Sequence, residues 1–64
     1  MLRGILARAK NQWLDIVDSN MGLLTSLPNT MDRLQLLRRC AKTVRGIGET
    51  SVWETLLYIE SMLN

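Results

Sequence analysis

Sixty-four residues with a formal net charge of +2 make one domain at most. A chain this short buries only about 60% of the surface its unfolded form exposes, so packing alone leaves it marginal. The single cysteine excludes an intramolecular disulfide, and with no histidine the chain offers no plausible zinc site. An apolar fraction of 47% excludes a disordered chain, and no window approaches the 18 apolar residues of a membrane span.

The first element is a helix. Leu2, Ile5, Leu6, Ala9, Trp13, Ile16 and Val17 recur at three- and four-residue steps, with Arg3, Arg8, Lys10, Asn11 and Asp15 largely elsewhere. Its end is open to two readings. Asp18-Ser19-Asn20 stops it ahead of Gly22, giving a separate short element near residues 23–27 and four helices in all, or Met21, Leu23 and Leu24 carry it on. The continuation is favoured, and the first helix is expected over residues 2–25. Pro28 bars further extension, because it biases Leu27 away from helical angles and lacks an N–H.

The second helix is expected over residues 30–45, opened by Asn29 or Thr30 as N-cap, with Asp32 placed where the helix dipole favours an acid. Leu34, Leu37, Ala41 and Val44 form its core stripe, widened by Leu36 and Cys40. It is strongly cationic: Arg33, Arg38, Arg39, Lys42 and Arg45 stand against Asp32 alone. Gly46 and Gly48 supply the backbone for a tight reversal. The third helix is expected over residues 50–64, with Ser51 and Glu54 spaced as a capping box. The segment from Glu49 to Asn64 carries no base and three acids, Glu49, Glu54 and Glu60, so the small net charge hides a marked internal polarity.

The fold expected is therefore all-α, a three-helix domain built as a helical hairpin plus a third helix. Val52, Trp53, Leu56, Leu57, Ile59, Met62 and Leu63 cover more of the third helix than one neighbour needs. Domains below roughly 70–80 residues are commonly completed by oligomerisation, so a homodimer is expected. Trp53, Leu56, Leu57, Met62 and Leu63 are the candidate apolar interface.

Catalysis has little support. Without histidine, acid–base work falls to isolated carboxylates, Tyr58, lysines or Cys40, and none has a motif around it. Asp15 and Asp18 share a face at i and i+3, the usual arrangement of two solvated acids. Arg39 and Lys42 beside Cys40 would lower a thiol pKa, but the residue adjoins the apolar stripe and reads as a buried structural cysteine. No enzyme, cofactor or metal is expected.

The basic ridge, Arg38, Arg39, Lys42 and Arg45, is the candidate partner-binding feature. The leading reading is a small intracellular regulatory or adaptor module that docks an acidic or groove-bearing protein partner through its apolar helix face, with the ridge steering encounter. A second reading makes residues 33–45 a phosphate-contacting helix and nucleic acid the partner. Against it, the helix that would read the major groove in a helix-turn-helix is the acidic third one. A third reading takes residues 1–14, basic and amphipathic up to Trp13, as a membrane-surface or organelle-targeting helix. Against that stand the continuity of the apolar stripe to Val17 and the lack of serine before Ser19.

Overall fold

In the computed structural model, backbone is described for residues 2–63 and side chains for residues 8–63. The side chains of residues 1–7, on which much of the membrane-surface and targeting reading rests, lie outside the described residues. Helices α1 (Leu2–Ser19), α2 (Met21–Ser26), α3 (Thr30–Ala41) and α4 (Glu49–Leu63) follow in chain order, with no strand among the described residues. The all-α expectation holds; the count of three helices is corrected to four.

The extra break falls at Asn20, where side chains also bond to helical carbonyls. The Ser19 hydroxyl donates to the Asp15 carbonyl at 2.9 Å, and the Asn20 amide donates to that of Ile16 at 2.8 Å. Asn20 leaves helical geometry at φ −103°, ψ 6°, while its own carbonyl accepts the first bond of α2 from the Leu24 N–H at 2.8 Å. This one-residue joint turns Leu24 fully into the core. Leu27 is extended ahead of Pro28, as a pre-proline residue should be.

Asn29 is the N-cap of α3, its side-chain oxygen accepting from the Asp32 N–H at 2.9 Å. The second-helix expectation was too long: α3 ends at Ala41, and residues 42–47 continue as tight turns. Thr43, Val44 and Ile47 each donate their N–H to the carbonyl three residues back, and the Thr43 hydroxyl also takes up the Cys40 carbonyl at 2.6 Å. Gly46 then adopts φ +97°, which reverses the chain towards α4. The capping-box expectation at Ser51 is also corrected. The Gly48 carbonyl accepts from Val52 N–H, α4 begins at Glu49, and Ser51 sits one turn further in, its carbonyl taking the Thr55 hydroxyl at 2.8 Å.

The core stripes read from the sequence converge. Ala9, Trp13 and Val17 of α1 meet Leu24, then Leu34, Leu37, Cys40 and Val44, then Val52, Leu56 and Ile59 of α4. Each fully buried aliphatic or aromatic side chain contributes about 1.5–3 kcal/mol on transfer from water. Two ion pairs set the direction of α3 against α4: Arg33 meets Glu60 and Arg38 meets Glu49, so the helices are antiparallel. Helices α1 and α4 run in the same sense, because Ala9 lies against Gly46, just ahead of α4, and Trp13 meets Thr55 further along it. The described residues extend over 40 × 19 × 18 Å, the proportions of an elongated bundle.

Candidate functional site

The sequence expected one basic ridge on α3, and the structure divides it. Arg38 and Lys42 are a turn apart and border a shallow hollow of about 220 Å³ against Glu49 and Val52. Arg39 projects to the other side, beside Leu36 and Cys40 and towards Ile16 and Asn20. Arg45 is exposed in the turns beyond the helix end. The split follows from the helical period, since adjacent residues diverge by about 100°.

Arg38 is the most engaged of the four. Its Nε donates to Glu49 Oε1 at 2.8 Å, and its guanidinium carbon lies 5.9 Å from the centre of the Trp53 ring. That is within cation–π range and holds the ring against the cationic flank of α3. Trp53 remains 45% exposed and Leu57, one turn on, 66% exposed. Arg38 and Trp53 therefore meet at the surface, with Lys42 one turn from Arg38, Leu57 one turn from Trp53 and the Glu49 carboxylate beside the guanidinium.

The other candidate interface residues divide in the same way. Leu56 was expected to face a partner; instead it is 2% exposed and belongs to the core, because it falls in line with Val52 and Ile59. Met62 and Leu63 are both exposed near the end of α4.

Sequence reasoning missed Arg33. Grouped there with the other bases of the helix, it is buried, and each guanidinium nitrogen has a partner: Nε and Nη2 donate to the two Glu60 oxygens at 2.9 and 3.0 Å, and Nη1 to the Leu27 carbonyl at 2.7 Å. The hydrogen bond from Arg33, supported by Thr30, holds the Glu60 carboxyl below its ordinary pKa. A local signal existed: Arg33 adjoins Leu34 and Glu60 adjoins Ile59, so both sit at the edge of an apolar stripe.

A second feature escaped the sequence altogether. The parallel helices α1 and α4 enclose an open, mainly apolar groove of about 450 Å³. Its floor is Trp13, which is 1% exposed and donates its indole N–H to the Thr55 hydroxyl at 2.9 Å. Lys10, Leu14 and Asp18 border it on α1, Glu54 and Tyr58 on α4. Burial pushes the Cys40 thiol pKa up, opposite to the activation that its basic neighbours suggested. Among the described residues no helix is long and apolar enough to cross a membrane. The chain matches no protein-family model, no curated protein and no solved structure.

Proposed function

We propose that this chain is a non-enzymatic regulatory or adaptor module that acts by binding another protein through the outer face of α4. Trp53 and Leu57 supply apolar contact, and Arg38 and Lys42 beside them draw in an acidic partner and fix its register. The observation that supports this reading is the half-exposed Trp53 ring, held beneath Arg38 at the edge of a core already closed by Leu56. Exposed aromatic anchors rimmed by arginine are typical of binding hot spots. Self-association belongs to the same reading, since so small a bundle gains stability from a second copy. The lone cysteine suits a reducing, intracellular setting.

The experiment compares the wild-type chain with Leu57→Asp and with Lys42→Glu/Arg45→Glu. Cross-linking capture from cells is followed by binding kinetics on the captured protein at several salt concentrations. The expected result is a partner lost with Leu57→Asp, and an association rate that falls about tenfold with the charge reversals and with added salt. Titration of labelled duplex and single-stranded DNA at about 50 and 200 mM salt is the counter-test. Micromolar DNA binding that collapses with salt and with Lys42→Glu/Arg45→Glu would replace the protein-binding reading with nucleic-acid binding by α3. Of the α3 bases, Arg33 is buried and held by Glu60, so it is withdrawn from contact with phosphates.

A further inference from the structure

The α1–α4 groove lies on the opposite flank of α4 from Trp53, and its border has an internal symmetry. On α1, Lys10, Leu14 and Asp18 stand at successive four-residue steps, a ridge with a base at one end, an acid at the other and an exposed leucine midway. On α4, Glu54 and Tyr58 are also four residues apart, centred on residue 56. The Trp13–Thr55 hydrogen bond joins the two helices beneath this border. The charge pair on α1 is centred on Leu14, so the ridge reads the same from either end with its charges exchanged.

A surface with that property is complementary to itself when turned over. We propose that the α1–α4 groove is the interface of a two-fold symmetric homodimer, with the axis passing at Leu14. A second copy laid antiparallel on the first brings Lys10 opposite the partner's Asp18, at both ends of a ridge about 12 Å long. Leu14 packs on its own counterpart. Isologous contact of this kind is the commonest way for a chain to pair with itself.

Leu14 at 55% and Tyr58 at 63% exposure are the apolar groups the pairing would cover, with Trp13 beneath them. A standard interface takes about 800 Å² from each partner. That is about one sixth of the 4835 Å² surface of this chain, a share that one side of the bundle can supply. The inference deepens the self-association stated above and rests on it, while assigning the second copy to a face that leaves Trp53, Leu57, Arg38 and Lys42 free. The dimer then presents two outward partner-binding surfaces.

Charge exchange at two exposed positions provides the test. Wild type, Lys10→Asp and Asp18→Lys are compared by sedimentation equilibrium from about 1 to 500 µM, with circular dichroism confirming the fold. The Lys10→Asp chain is acidic at both ends of its ridge and the Asp18→Lys chain basic at both ends, so each repels its own copy. Wild type is expected to dimerise, each variant alone to do so at least about tenfold more weakly, and an equimolar mixture of the two to recover affinity within about threefold of wild type. A dimer unaffected by either substitution but dissociated by Leu57→Asp would overturn the groove assignment and leave self-association standing. A wild-type chain monomeric throughout the range would overturn both.

Discussion

The Arg33–Glu60 pair shows what one buried ionic contact does in so small a molecule. Burying a guanidinium is costly unless its donors are met, and here the two carboxylate oxygens and the Leu27 carbonyl meet them. The pair joins the first turn of α3 to the last turn of α4, 27 residues away in sequence. Because the folded state lowers the Glu60 pKa, it favours the ionised carboxylate more than the unfolded chain does. The stabilisation is complete above the unfolded carboxylate value, about 4.3, and is lost as pH falls through the lower folded value. Thermal melting at a series of pH values from 7 to 3 is expected to show Tm falling below about pH 4.5. Glu60→Gln should lower Tm at pH 7 and flatten the acid limb; an unchanged acid limb in that variant would assign the loss to other carboxylates.

At the scale of elements, the turn between α3 and α4 depends on a glycine. Gly46 at φ +97° takes a conformation that costs an L-residue about 1–2 kcal/mol. A methyl group there would stand 3.5 Å from the Ala9 side chain, an ordinary contact, so backbone strain alone sets the penalty. Gly46→Ala is expected to destabilise the chain by about that 1–2 kcal/mol, read from urea unfolding with an unchanged m-value. Gly48, with open space around it, should tolerate the same change far better.

The elements also show what the sequence could and could not reveal. The buried stripes were legible in Trp13 and Val17, Leu34 and Leu37, Val52 and Ile59, because periodicity is a local property and the core respects it. The Asn29 cap and the Pro28 break were legible for the same reason. The break at Asn20 was not resolved, since Met21, Leu23 and Leu24 also satisfy a helical period. The Ser51–Glu54 spacing misled because Gly48 lies where the backbone enters α4, one turn earlier. For the candidate site, the exposure of Trp53 and Leu57 followed from an apolar arc wider than the core required. The engagement of Arg38 with Trp53 and Glu49, and the whole α1–α4 groove, depend on how separate helices align.

For the molecule as a whole, two apolar surfaces flank α4, and α1 and α3 each border one of them. If the groove face joins two copies, folding and association are linked, and stability depends on how much protein is present. Tm measured by circular dichroism should rise by several degrees between about 5 and 500 µM wild-type chain, and the Lys10→Asp chain should lose most of that dependence. A Tm independent of concentration in the wild type would mean that the bundle stands alone.

The two tryptophans differ in a way that gives the molecule its own optical readout. Trp13, buried with its N–H satisfied, emits from an apolar surrounding and reports on the bundle and the groove above it. Trp53 emits from beneath a guanidinium at the water boundary, where a docking partner would displace solvent while leaving the core intact. Unfolding and partner engagement thus act on different indoles, and each can be followed by its own light, without a label, once the other is replaced by phenylalanine.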